Sequence, residues 1–336
     1  HENITALQKI KMIPAVLSGE IKPHTEHHFL GQRYDLPFGI APVGLSGAIW
    51  PDAERILAHS AANAKIPFSL STVACQTPET IGPITNGTGW FQLYPPRDPD
   101  LRHDMIARVS NSGFQTLIVT VDLPAPSRRE RQSRGGITQP PAITPRILTH
   151  IAKCPSWALG MVRHGRPEMP FVASYGNNIR GLPTTKHLGY LLRISPDIDY
   201  LKWVREHWKG SLIIKGILNP ADCDKLEKIG VDAIWVSNHA GRQFAGAPAT
   251  IDVLAEIRKS TQLPLVFDGG IESGLDILRA MALGADFIMM GRAWHYALGA
   301  LGREGPNHLA NILREDLIAN MSQLGLCTLE NCAQSL

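Results

Sequence analysis

An α/β fold, and within it a (β/α)8 barrel of the TIM type, is what this sequence predicts, on three observations. Eight short apolar runs recur along the chain, helix-length amphipathic stretches follow most of them, and polar residues collect where the runs end. Runs that are apolar throughout suit strands covered on both faces, and such strands interleaved with helices make a parallel sheet. Eight units is the number that closes a barrel; an open doubly wound sheet is the competing arrangement.

The elements follow in order. PFGIAP (37–42) is the first strand, and a helical pattern runs from Asp52 to Ala64 behind it. PFSLS (67–71) and WFQLY (90–94) are the second and third strands, the latter followed by a helix over Pro99–Ser112. TLIVTVD (116–122) is the fourth strand, and the next helical pattern, Ile198–Trp208, comes only after a long excursion. LIIKG (212–216), AIWVSN (233–238) and PLVFDGG (264–270) precede helices at Pro220–Ile229, Ile251–Ser260 and Gly274–Leu283, and FIMMG (287–291) is the eighth strand. Residues 1–336 are then one domain, interrupted by an excursion from about 125 to 195 that is rich in proline and glycine. An unpatterned stretch of that length is usually a functional loop or a partly mobile lid.

Composition excludes several classes. With 44% hydrophobic and 19% charged residues the chain can bury a large core, and a net charge of +3 is too slight to argue for nucleic acid. The longest apolar run, FGIAPVGLSGAIW, is shorter than the roughly 18 residues of a membrane span. The five cysteines, Cys75, Cys154, Cys223, Cys327 and Cys332, show no metal-ligand spacing and read as reduced thiols of a cytoplasmic protein, with no metal site. No signal peptide is evident, and the opening at His1 is read as a missing N-terminal piece.

The excursion has a character of its own. From Arg131 to Pro167 it carries no acidic residue, but it holds Arg131, Arg134, Arg146, Lys153, Arg163 and Arg166 among Leu, Ile, Trp and Met. Such a basic amphipathic stretch suits the surface of an anionic membrane, such as a position peripheral to the inner membrane. The plainer reading is a solvated lid that packs its own apolar residues.

In a barrel the site is built at the C-terminal ends of the strands. Gln92 and Tyr94 end the third strand, Thr120 and Asp122 the fourth, and Lys215 the fifth. Ser237, Asn238, His239 and Arg242 end the sixth, Asp268, Gly269 and Gly270 the seventh, and Gly291 and Arg292 the eighth. Singly, each has a plain reading: Lys215 snorkels, Asp122 caps, Arg242 pairs with a surface carboxylate. Together, a histidine, an aspartate to orient it, a lysine, and Arg129 and Arg242 supply a base and an anion clamp. The glycines after the seventh and eighth strands, each leading into a helix, suit a phosphate, although glycine is also the default for any tight turn.

These motifs resemble those of the FMN-dependent α-hydroxy-acid oxidase and dehydrogenase family, which includes glycolate oxidase, lactate dehydrogenase and mandelate dehydrogenase. The resemblance runs from about Leu30 to Leu301 and rests on PFGIAPVGL, FQLY, TVDLPAPSRRE, LIIKGI, VSNHAGRQ, GAPATID, FDGGIESGLDILRAMALGA and MMGRA. It implies FMN-dependent oxidation of an L-2-hydroxy acid to the 2-oxo acid. His239 is then the base and Asp122 its partner, while Arg129 and Arg242 bind the carboxylate. Tyr94 meets the substrate oxygen, and Lys215 lies beside the flavin N1–C2=O edge. Ser71, Gln92 and Thr120 hydrogen-bond the ring, and Pro42, Val43 and Gly44 lie along it. Ser237 and Asp268 belong to the same cofactor set, and Gly269, Gly270, Gly291 and Arg292 to its phosphate. The implied electron acceptor is O2, a quinone or a carrier protein, and the implied assembly a homotetramer.

Departures from the family pattern set further expectations. Glu272 stands where an arginine usually reaches the phosphate, Ala240 and Ala245 replace a glycine and an aspartate, and Val73 replaces a tryptophan. Val73 should widen the pocket toward a bulky or aromatic side chain. A substrate tyrosine expected before the aligned region has only Tyr34 as a candidate, in a poor context. The readings set against this one are an FMN-poor, non-catalytic barrel descendant, which Glu272 favours, and a phosphate-binding barrel isomerase or lyase.

Overall fold

The computed structural model describes residues 2–125, 145–175 and 195–336. Its centre is an eight-stranded parallel barrel: β1 (Phe38–Ile40), β2 (Ser69–Ser71), β3 (Trp90–Leu93), β4 (Thr116–Thr120), β5 (Ser211–Ile217), β6 (Ala233–Val236), β7 (Leu265–Phe267) and β8 (Phe287–Met290). Each strand pairs with its chain neighbour, β8 pairs with β1, and a parallel bridge between Ile40 and Phe68 closes the ring between β1 and β2. All eight predicted strands are present; β5 runs one residue further at each end than predicted, and the others are shorter than their predicted runs.

Alternation along the strands sorts the barrel into two cores. Leu117, Val119, Leu212, Ile214, Ile234 and Val236 pack outward with the surrounding helices. Trp90, Ile118, Ile213, Ala233, Trp235, Val266, Phe287 and Met289 fill the interior. The same inward-facing phase continues toward the C-terminal ends as Gln92, Thr120, Lys215, Ser237 and Asp268, so the period of two that packs the centre also delivers the polar mouth.

A hairpin that the strand pattern did not predict, His27–Phe29 with Gln32–Tyr34, closes the opposite end. Phe29 and Tyr34 rest on Phe287 with ring centroids 4.9 and 5.3 Å apart, and Trp90 Nε1 donates to the Tyr34 hydroxyl at 3.3 Å. Burial pushes the Tyr34 phenol up to about 12. Tyr34 therefore plugs the barrel floor and stands at the end away from the mouth.

Two alternate helix–strand units, those ending in β5 and β7, are bolted alike. Arg205, near the end of one helix, reaches Asp232 at 2.8 Å and the Gly210 carbonyl at 2.9 Å, while Asp232 accepts the Leu212 amide at 2.7 Å. Arg258 repeats the pattern with Asp286 at 3.1 Å and the Leu263 carbonyl at 3.0 Å, and Asp286 accepts the Leu265 amide at 2.7 Å. In each unit the guanidinium takes up helix-end carbonyls that would otherwise lack donors.

The predicted excursion after β4 contains short helices of its own. Its described part carries helices Pro145–Ala152, Pro155–His164 and Pro170–Ala173. The prolines that looked like breakers each stand at a first helical position, where the missing N–H is no loss. Phe171 and Val172 enter the outer core, and Trp157 Nε1 donates to the Ala48 carbonyl at 3.3 Å, fastening the second helix over the β1 rim. Beyond β8, helices Arg292–Leu301 and Gly305–Gln323 complete the outer layer. All five cysteines are free thiols, and among the described residues no cluster has metal-ligand geometry and no helix is long and apolar enough to cross a membrane.

Candidate active site

The β5, β6 and β7 ends hold one buried charge. Lys215 Nζ donates to Ser237 Oγ at 2.7 Å and lies 3.3 Å from Asp268 Oδ2. Ser237 Oγ passes its own proton to Asp268 Oδ1 at 2.8 Å, and Trp235 Nε1 donates to Asp268 Oδ2 at 3.0 Å. The carboxylate is thus committed inside the barrel and anchors Lys215. A lysine only 5% exposed needs such a partner, because an isolated buried charge is costly.

Directly after this network the chain turns sharply. His239, Ala240 and Gly241 have φ of 54°, 56° and 70°, and the first two are in the left-handed region without being glycine. Each such residue costs on the order of 1 kcal/mol and persists only where its surroundings over-determine it. The His239 amide donates to Ser237 Oγ at 3.1 Å and the Gly241 amide to the Asn238 carbonyl at 2.9 Å, which hold the turn. The turn aims the imidazole back over the mouth, where Nδ1 meets Asp122 Oδ2 at 3.1 Å and Oδ1 at 3.3 Å. Burial alone would raise the Asp122 carboxyl, but the His239 hydrogen bond and the positive charge of Lys215, with a smaller part from His239's own charge, override it and hold the acid below its ordinary value.

Gly216 makes room for this pair. With φ +107°, a Cβ there would sit 2.6 Å from Asp122 Cβ. Gly216→Ala should displace Asp122 from His239, lower stability by about 1–3 kcal/mol and slow turnover together; thermal melts and initial rates check it.

The opposite wall tests whether a flavin ring fits. Ser71 Oγ donates to Gln92 Oε1 at 2.8 Å, which fixes the amide and leaves Gln92 Nε2 buried with no partner among the described residues, as is Thr120 Oγ1. Unsatisfied buried groups cost about 1–3 kcal/mol each, so two on one polar wall suit a bound heterocycle with carbonyl and N–H edges. Beside them the Leu45 amide donates to the Val73 carbonyl at 2.9 Å, and a Cβ on Gly44 would come within 2.5 Å of Val73 Cγ2. Gly44 is thus packed against Val73, and Pro42, Val43 and Gly44 are each partly exposed at the β1 end.

The glycines expected at a phosphate lie at the β7 and β8 ends. Gly269 and Gly270 have φ of +119° and +87°, and Gly291 precedes the helix that begins at Arg292. Arg292 is exposed there. Glu272 is exposed, and its own amide donates to the buried Asp276 carboxylate at 3.1 Å. Tyr94 is half-buried at the β3 end, its amide donating to Thr72 Oγ1 at 3.0 Å, and Arg242 is exposed one turn after His239. Arg129, Arg131 and Arg134 lie outside the described residues.

The mouth thus brings together His239, Asp122, Lys215, Ser237, Asp268, Ser71, Gln92 and Thr120. One participant escaped the sequence reading. Asn3, on helix Glu2–Lys9, inserts its amide among the β6 and β7 loops. A lone asparagine before the first barrel strand carries no signal that would have marked it.

Comparison with known proteins agrees with this geometry. A family profile described as FMN-dependent dehydrogenase matches residues 1–336. L-lactate dehydrogenase of Pectobacterium atrosepticum is 36% identical over 333 residues, covering 97% of this chain and 85% of that protein. L-lactate dehydrogenase of Stenotrophomonas maltophilia strain R551-3 is 36% identical, covering 96% and 86%. Among solved structures, the monotopic membrane protein (S)-mandelate dehydrogenase superposes with a TM-score of 0.88 at 29% identity, covering 98% of this chain and 88% of that one.

Proposed function

The chain belongs to the FMN-dependent dehydrogenase family, and from that premise we propose that it oxidises an L-2-hydroxy acid to the 2-oxo acid with His239 as the base. The observation that carries the reading is the His239–Asp122 contact beside buried Lys215. When bound, FMN supplies the two-electron acceptor. Gln92, Thr120 and Ser71 are the groups that would hold its ring, and Gly269, Gly270, Gly291 and Arg292 those that would hold its phosphate. Lys215, fixed by Ser237 and Asp268, stabilises negative charge that develops beside it, an effect worth several kcal/mol where water is excluded.

The substrate end is built from cations. Arg242 and Arg129 hold the carboxylate, each by a paired N–H···O contact, and Tyr94 orients the hydroxyl or keto oxygen. With Nδ1 committed to Asp122, His239 Nε2 is the nitrogen that takes the substrate proton, and the Asp122 carboxylate stabilises the imidazolium that results. Val73, small and half-buried against Gly44, supports a pocket for a bulky or aromatic side chain, in preference to glycolate.

The test is an anaerobic titration of the FMN-loaded protein with lactate, mandelate and glycolate, followed by air. Bleaching of the flavin band by lactate or mandelate with one 2-oxo acid formed per flavin is expected, and glycolate should be the poorest. No bleaching by any of the three sinks the reading, and fastest bleaching by glycolate sinks the pocket assignment. Admission of air then sorts O2 from a quinone or carrier protein as the acceptor.

Glu272 shapes cofactor affinity in this reading, since a carboxylate beside the phosphate corner opposes an anion while an arginine would attract it. Glu272→Arg should tighten FMN binding by a few-fold, about 1 kcal/mol, and the gain should shrink at high salt. Fluorescence titration at two ionic strengths measures both.

A peripheral membrane role is supported by the second excursion helix. Leu159 and Val162 are 70% and 84% exposed there, with Lys153, Arg163 and Arg166 exposed nearby. Apolar residues among cations suit an anionic interface, and one structural neighbour is described as a monotopic membrane protein. Loss of sedimentation with anionic liposomes in a Leu159→Ser/Val162→Ser variant is the expected result; unchanged sedimentation removes the proposal.

A further inference from the structure

Ahead of the barrel, helix Glu2–Lys9 presses onto the C-terminal mouth. Ala6 and Leu7 are buried against the outer core, and the Ile10 carbonyl is held by Arg279 Nε at 3.0 Å, so the helix is anchored independently of its first turn. At that first turn Asn3 forms a reciprocal amide pair with Asn238. Asn3 Nδ2 donates to Asn238 Oδ1 at 2.9 Å, and Asn238 Nδ2 donates back to Asn3 Oδ1 at 2.8 Å. Asn238 Nδ2 also reaches the Pro248 carbonyl at 3.1 Å, and Asn3 Oδ1 accepts the Thr250 amide at 3.3 Å. Both side chains are more than nine-tenths buried, at 7% and 8% exposure.

The same asparagine fills the space beside the phosphate-corner glycines. A Cβ on Gly269 would meet Asn3 Nδ2 at 2.6 Å, and one on Gly270 would meet the Asn3 backbone at 2.8 Å. Asn3 thus touches the loop after β6, the helix that follows it and the loop after β7. Its partner, Asn238, is the residue immediately before the strained His239–Gly241 turn, and its carbonyl accepts the Gly241 amide. A strained segment holds its shape only while its flanks are fixed, and this amide pair fixes one flank from outside the barrel.

We infer that Asn3 is a positioning residue: through Asn238 it sets the turn that carries His239, and by contact it sets the Gly269–Gly270 turn at the phosphate corner. This rests on the assignment of His239 as base and of that corner to FMN. Asn3 touches neither substrate nor reacting atoms. Its effect is to couple the proton-accepting rim to the cofactor rim, so that both lose order when it is removed. An amide that served only to weld the N-terminal helix to the barrel would lower the melting temperature and leave both turns unchanged.

The experiment uses the full chain with Asn3→Ala, Asn238→Ala, the double variant and the isosteric Asn3→Asp, which turns the donor facing Asn238 Oδ1 into an acceptor. Amide exchange over residues 237–242 and 268–271 is read on the protein without FMN. FMN dissociation constants and anaerobic flavin-reduction rates are then read on each variant relative to the parent. Asn3→Ala should speed exchange in both segments, weaken FMN by about tenfold and slow reduction by about tenfold, as expected for a lost buried pair. Asn238→Ala should speed exchange at 237–242, and the double variant should resemble Asn3→Ala because the pair acts as a unit. If Asn3→Ala does not fold, Asn3→Asp is read in its place, with the same direction expected. Unchanged exchange in both segments with a lowered melting temperature overturns the inference. A parent protein that fails to bind FMN or to be reduced counts against the proposed function instead, and the exchange data still decide the role of Asn3.

Discussion

Replacing His239 with Asn should slow reduction of bound FMN by substrate about 10²–10⁴-fold, the usual worth of a positioned general base. FMN affinity should hardly change, since His239 contacts Asp122 and Ser237 and no residue of the ring wall or phosphate corner. Asp122→Asn should give a smaller loss, because it removes the orienting partner and leaves the base. It carries a second signature in stability. The Asp122 carboxyl is held below its ordinary value of 3.8 by His239 and Lys215, which outweigh its burial. A group whose folded value is depressed adds stability that is full above the unfolded value and lost as pH falls through the folded one. Melting temperature of the parent should therefore fall through the window just below the ordinary aspartate range, and Asp122→Asn should flatten that limb. A parent whose acid limb matches the variant's would mean the pair is not formed.

Removing Lys215 should have the other large effect, and it separates stability from chemistry. Lys215→Met leaves the Asp268 carboxylate, 15% exposed at its side chain, without the ammonium it faces. Breaking one side of a buried pair typically costs about 3–5 kcal/mol. Adding Asp268→Asn removes the stranded charge, so the double variant should recover most of the melting temperature. Flavin reduction should stay depressed about 10²–10³-fold in both, because the charge that stabilises the reduced ring is gone from each. Recovery of reduction rate along with stability would show that Lys215 serves the fold alone.

Much of this was legible in the sequence, for a definite reason. The residues that build the wall and those that build the mouth lie on the same strands in the same phase, so LIIK and AIWVS announce both the barrel and where it turns polar. Lys215, Asp122 and His239 could be grouped because each ends a recognisable apolar run. The short helices inside the excursion were not read because its prolines look identical in sequence whether they break a helix or begin one; Pro145, Pro155 and Pro170 begin them. The floor hairpin was invisible because HHF and QRY are three-residue strands with no alternation to read. The family resemblance put Asp268 in the cofactor set, and only side-chain geometry shows that it faces Lys215. Asn3 lies 235 residues from its partner, and no local pattern connects residues at that distance.

The central claim is spatial: one tricyclic ring lies between the Pro42–Gly44 segment, the Gln92 and Thr120 groups that have no partner among the described residues, and the Lys215 ammonium, with the His239–Asp122 pair across from it. Crystals of the protein with FMN and a 2-oxo acid test it most directly. The account predicts flavin density inside the barrel mouth with its phosphate at Gly269, Gly270 and Gly291, and the acid between the ring and His239. FMN bound elsewhere on the molecule, or an acid with its carboxylate turned away from Arg242, would contradict it.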